Sequence, residues 1–141
     1  MGSGAAARPL RKTRARRVRK RSDFDRIQQG GERVNTRRFV LILARQPEDT
    51  GVCRLGVTAS RRIGGAVTRN RAKRLVREAF RATGDLWPGG IDLVVIVRKP
   101  LGDIRLPEVV DEWREVTGLL KKRLARLLAG SPAPENNRGR G

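Results

Sequence analysis

Eight of the twenty-one side chains in residues 61–81 (RRIGGAVTRNRAKRLVREAFR) are cationic, and one, Glu78, is acidic. Arg69-Asn70-Arg71, followed by Lys73-Arg74 and Arg77, offers planar guanidinium forks that bind phosphate oxygens bidentately. Asn70 adds an amide able to read a base edge or a ribose 2′-hydroxyl. A merely solvated helix face tends to mix charge signs along its length, so this unbalanced run points to a polyanionic partner. The chain has no histidine, hence no ordinary general base near neutral pH and no imidazole metal ligand. It is not expected to run acid–base chemistry alone. A single cysteine, Cys53, excludes an intrachain disulfide and fits a reducing cytoplasm; it reads as a small packed or half-exposed strand residue.

Those cations need a helix to align them. Ala72, Leu75, Val76, Ala79 and Phe80 recur at i, i+3, i+4, i+7 and i+8, an apolar stripe wide enough to bury. The helical period sets Arg69, Lys73 and Arg77 in one row beside the stripe, Arg74 and Arg81 further round, and Arg71 nearly opposite. Gly64-Gly65 breaks the chain before this helix, and Thr83-Gly84-Asp85 ends it. Upstream, Ser22 is placed to cap a short helix with Asp23 and Asp25 in its first turn, Phe24 and Ile27 on one face, and Gly30-Gly31 at its end. Residues 38–45 (RFVLILAR) and 52–60 (VCRLGVTAS), separated by a turn at 46–51, read as an antiparallel hairpin, and 32–37 adds a short edge strand. The run 91–97 (IDLVVIV) has the continuous apolar character of a strand covered on both faces. From Pro107, apolar residues repeat at helical steps to about Leu128, with Trp113 favoured as a core anchor over a base-stacking platform. These elements predict an α+β fold, α-β-β-β-α-β-α, with three helices on one four-stranded sheet.

Residues 1–20 and 130–141 lack apolar periodicity and read as a disordered basic arm and a disordered tail, leaving 21–129 as the single domain. Net charge is +19 and the pI is near 11.8, a field that drives binding to phosphate backbones by counterion release. Arginine makes up 27 of the 33 cations; codon bias accounts for that choice over lysine but not for the excess of charge. No run approaches the roughly 20 apolar residues of a membrane span, and no apolar signal core follows the basic start. A cytoplasmic location is expected.

Leu55-Gly56-Val57-Thr58-Ala59-Ser60-Arg61-Arg62-Ile63-Gly64, then Ala66-Val67, then Arg69-Asn70-Arg71, Lys73-Arg74 and Arg77 closely resemble the protein subunit of bacterial ribonuclease P. The resemblance extends to Asp23-Phe24, to Arg37 and Phe39-Val40-Leu41, and to residues 92–100. It implies a basic cofactor protein for a catalytic RNA, which uses Mg²⁺ held by the RNA to remove the 5′ leader of precursor tRNA. It also implies a left-handed β-α-β crossover. By the same resemblance Arg61, Arg62, Arg69, Asn70, Arg71, Lys73, Arg74 and Arg77 grip the catalytic RNA, while Phe24, Phe39, Ser60, Arg98 and Lys99 border a cleft for the single-stranded leader. Phe39 fits the core equally well. Family members often carry further rings where this chain has Gln28 and Ile42, so the leader site is expected to rest more on charge and apolar contact than on stacking. No catalytic or metal-binding residue, membrane contact or obligate protein partner is inferred. The same charge also admits a ribosomal RNA-binding protein or a DNA-binding helix. The first would not prefer leader-bearing over mature tRNA; the second would favour duplex DNA over structured RNA at matched salt.

Overall fold

Three apolar runs and one short polar one pair into a single mixed sheet; the computed structural model describes residues 17–129. Strands β1 (Glu32–Asn35), β2 (Phe39–Arg45), β3 (Arg54–Ala59) and β4 (Ile91–Val97) lie in the order β1-β2-β4-β3. β1 and β2 form an antiparallel hairpin, β4 runs antiparallel to β2, and β3 lies parallel to β4. The expected hairpin between β2 and β3 therefore does not form, because β4 inserts between them. β2 and β4 are the two strands with long apolar, two-faced burial, and strands covered on both faces belong inside the sheet, so they pair with each other and leave β3 at an edge. The turn at 46–51 separates two strands without pairing them. Gln46 holds that turn, its Nε2 donating to the carbonyls of Val52 and Ile91.

Four α-helices complete the described fold: α1 (Arg21–Gly30), α2 (Ala66–Ala82), α3 (Leu106–Glu115) and α4 (Thr117–Ala129). Lys20, not Ser22, occupies the N-cap of α1 and makes no side-chain cap. The last expected helix is two helices, broken at Val116. The Val116 amide donates to the Trp113 carbonyl three residues back (3.2 Å), and the Thr117 hydroxyl donates to the Arg114 carbonyl (2.7 Å). Two β-branched residues followed by Gly118 make this the weakest helical stretch of the segment. Among the described residues no helix is long and apolar enough to cross a membrane.

Strand alternation sends side chains to two cores. Phe39, Leu41 and Leu43 of β2, with Leu93, Val95 and Val97 of β4, join the larger core under α2, α3 and α4. Val40, Ile42, Ala44 and Val94 face the other way, onto Ile27 of α1 and Val18. Four of the five aromatic rings form a chain through the larger core: Phe80 stacks on Trp87, and Trp113 meets both Trp87 and Phe39 edge-on at 6.0 and 5.9 Å. Trp113 is the core anchor its spacing implied. Val18 is buried and its amide donates to the Leu55 carbonyl (2.9 Å), so residues 17–20 belong to the fold instead of the arm. One valine among cations gives no periodicity from which to read this. Residues 1–16 and the expected tail, 130–141, lie outside the described residues.

Two buried acids tie the layers together. Asp92 of β4 accepts from Arg54 (2.8 and 2.7 Å), from Arg26 of α1 (2.8 Å) and from Gln46 (3.0 Å). Burial alone would push its carboxyl up, but those donors hold it below the usual carboxylate range. Glu112 of α3 accepts from the Thr36 hydroxyl (2.6 Å) and from the Arg38 amide (2.7 Å) and guanidinium (2.6 Å), fixing the β1–β2 turn.

Candidate nucleic-acid interface

α2 is aimed by the turn before it. The Ser60 hydroxyl accepts from the Arg62 amide (3.3 Å), buried Ile63 anchors a single 3₁₀ turn at Arg61–Ile63, and Arg61 and Arg62 are left exposed. Gly64 then adopts φ 146°, a conformation essentially reserved for glycine, to swing the chain into the helix. Ala72, Leu75, Val76 and Ala79 are buried beneath α2 as the stripe requires. Its opposite side presents Val67, Asn70, Arg74 and Arg81, all exposed, with Lys73 and Arg77 half-buried on the flank. Arg69 is half-buried as well, and its Nε has no hydrogen-bond partner among the described residues.

Arg71 departs from expectation. It lies beside the stripe, toward α3, with Nη1 donating to the Gly102 carbonyl (3.0 Å) and Nη2 to the Ile104 carbonyl (2.9 Å). One position before Ala72, it falls about a quarter turn from the apolar direction, where half a turn had been expected; Arg74 is the residue that points away.

The ion pairs of the described residues all lie off α2. Arg26, Arg38, Arg54, Arg114, Arg123 and Arg126 each pair with a carboxylate. Among the described residues, no cation of α2 makes an ion pair. Asn70, Lys73, Arg74, Arg77 and Arg81 instead converge with Arg17 around a depression of about 450 Å³. Burial, and then repulsion from Arg17 and Arg81, lowers the Arg77 pKa from its ordinary value. Uncompensated positive charge is thus concentrated where a polyanion could relieve it. The place of Arg17 in this patch was hidden from sequence reading, since nothing distinguishes it from the basic residues before it.

On the other face of the sheet, α1 covers one end and leaves the other partly open. The Arg26–Asp92 pair ties α1 down at the covered end. At the open end Val40, Ile96 and Thr58 sit side by side across β2, β4 and β3, and Ile96 and Thr58 are half-exposed. Half-buried Phe24 borders this row, its ring so close to Gly56 that a Cβ there would lie 2.7 Å from it. Ser60, Arg98 and Lys99 are exposed where the strands end, and Arg98 Nη1 donates to the Thr36 carbonyl (3.0 Å). Phe39 does not join them: fully buried, it points into the larger core, because its β2 neighbour Val40 takes the α1 side. Thr58 and Ile96 were missed because apolar residues on both faces of β4 mask the two-residue alternation. Among the described residues no group of three or more His, Cys, Asp or Glu could hold a metal ion.

Comparison with known proteins agrees with the α+β fold. The family model described as Ribonuclease P matches residues 13–122. The ribonuclease P protein component of Desulforapulum autotrophicum is 38% identical over 110 residues, covering 78% of this chain and 89% of that protein. Its counterpart in Bacillus velezensis is 36% identical over 109 residues, covering 75% and 92%. Among solved structures, the RNase P protein of Staphylococcus aureus superposes with a TM-score of 0.65 at 31% identity, covering 77% of this chain and 97% of that one. The RNase P protein of Thermotoga maritima does so at 0.63 and 34%, covering 75% and 96%.

Proposed function

The chain belongs to the ribonuclease P protein family, and from that premise we propose that it binds the catalytic RNA of ribonuclease P and the 5′ leader of precursor tRNA, assisting 5′-end maturation in the cytoplasm. The observation that carries this reading is the unpaired cationic face of α2, in a protein that pairs six other arginines with acids. Asn70, Lys73, Arg74 and Arg77, with Arg61, Arg62 and Arg69, grip RNA phosphates and a ribose or base edge. Arg71 serves chiefly to hold α2 against the loop before α3. The half-open row of Val40, Ile96 and Thr58, bordered by Phe24, Ser60, Arg98 and Lys99, receives the single-stranded leader. Apolar contact and cations suffice for a sequence-tolerant strand site, with one ring in place of several. Phosphodiester hydrolysis belongs to the RNA, which holds the Mg²⁺ that chemistry of this type uses; the protein contributes affinity and position.

Reconstitution with a cognate catalytic RNA and a leader-bearing precursor tRNA tests the proposal. The protein alone should cut nothing, while its addition should lower the Mg²⁺ requirement and tighten precursor binding. Cleavage that is the same with and without the protein would refute it.

A further inference from the structure

A second depression, of about 530 Å³, adjoins the cationic one and shares Arg17, Arg77 and Arg81 with it. Its walls are apolar: Leu55 of β3, Phe80 of α2, and Trp87, with the two rings stacked at 6.1 Å and 23°. The Trp87 Nε1 proton is already committed to the Thr83 hydroxyl (2.9 Å), so the indole offers the slot an apolar surface. Such a volume lies within the range of small-ligand clefts, about 300–1,000 Å³. An aliphatic occupant would leave three arginines without a counter-charge, and a bare phosphate would leave the apolar walls in water. A nucleotide answers both. Arg17 Nε, at the junction of the two depressions, is buried without a hydrogen-bond partner among the described residues, and an orphaned buried donor is uncommon enough to need an explanation.

We propose that this bipartite depression binds one unpaired ribonucleotide of the RNA partner, its phosphate held by Arg17, Arg77 and Arg81 and its base against Leu55, Phe80 and Trp87. The nucleotide must be unpaired, because bases become available for stacking on protein side chains only outside a duplex. This assignment rests on the RNA-binding role proposed above and adds a base-reading contact to it.

The test uses the full chain and three probes: adenosine 5′-monophosphate, ribose 5-phosphate and inorganic phosphate. The adenosine nucleotide should quench Trp87 emission and bind about tenfold more tightly than ribose 5-phosphate, an effect in the range of one stacked base. Gly84 lines the slot and has nothing within 4 Å of where a Cβ would stand, so Gly84→Phe should fill the slot without a clash. That variant should lose the tenfold preference, keep its binding of inorganic phosphate, and bind catalytic RNA about tenfold more weakly with an unchanged salt slope. Equal affinity of the wild-type chain for adenosine 5′-monophosphate and ribose 5-phosphate would overturn the slot, whether or not Gly84→Phe folds. In that case wild-type protein still stimulates cleavage in the reconstitution assay; absent stimulation refutes the broader reading instead.

Discussion

Arg71 and Arg74 stand three residues apart on α2 and serve different ends. Arg71 spends both terminal nitrogens on carbonyls of the loop before α3, while Arg74 is exposed and unpaired among the described residues. Arg71→Ala should therefore lower stability by about 1 kcal/mol, modest because the group is exposed, and leave the salt dependence of RNA binding unchanged. Arg74→Ala should leave the melting midpoint unchanged and reduce the salt slope by about one. Thermal melts and salt titrations on the two variants check this, and exchanged phenotypes would reverse the assignment. Asp92 makes a prediction in pH. Its folded-state pKa lies below the unfolded value of about 3.9, so folding favours the ionised form. That stabilisation is complete above about pH 5 and disappears as pH falls through the folded-state value. Asp92→Asn should cost about 3 kcal/mol at pH 7, the lower end for breaking a buried pair because both arginines keep some contact with water. Denaturant melts should show that deficit flat from pH 5 to 8 and shrinking below pH 4. A deficit of constant size down to pH 2 would assign the role of Asp92 to shape, not charge.

At the scale of elements, α1 rests on the sheet through a missing side chain. Phe24 lies over Gly56, where an added Cβ would approach the ring to 2.7 Å. Gly56→Ala should push α1 off β3, costing about 1–3 kcal/mol by overpacking. It should also blunt discrimination between leader-bearing and mature tRNA while leaving affinity for catalytic RNA intact; altered affinity for catalytic RNA with unchanged discrimination would dissociate Phe24 from the leader site. How far such elements could be read from sequence depended on whether the signal was local. The α2 stripe and the two-faced burial of β4 were legible because each is written within one element by its own periodicity. The partner of β2 was not, since strand order depends on which distant run can be buried on both faces, and β4 lies some fifty residues downstream of β2. The break at Val116 was hidden because apolar residues keep helical spacing across it, and only helix propensity at Val116-Thr117-Gly118 hinted at it. Phe39 shows the same limit at the site: a one-residue difference in strand phase decides between cleft and core, and a run apolar on both faces does not reveal its phase.

For the whole molecule, the sheet separates two working surfaces. α2 packs on the face that carries the larger core, and the half-open row beside α1 occupies the reverse face. Arg74 is exposed on α2 above the larger core and Phe24 packs on the other one, so the two contacts act as independent contributions to one assembly. Arg74→Ala should weaken binding of the protein to catalytic RNA without altering preference for the leader. Phe24→Ala should weaken the reconstituted enzyme's hold on leader-bearing precursor, but not on mature tRNA. Combined, the losses in precursor binding should add to within about 0.5 kcal/mol, as expected for sites without common partners. A double-mutant cycle on the reconstituted enzyme measures this directly. Coupling well above that limit would mean that RNA docking on α2 reshapes the α1 face, which a rigid sheet with an Arg26–Asp92–Arg54 brace through β4 is built to prevent.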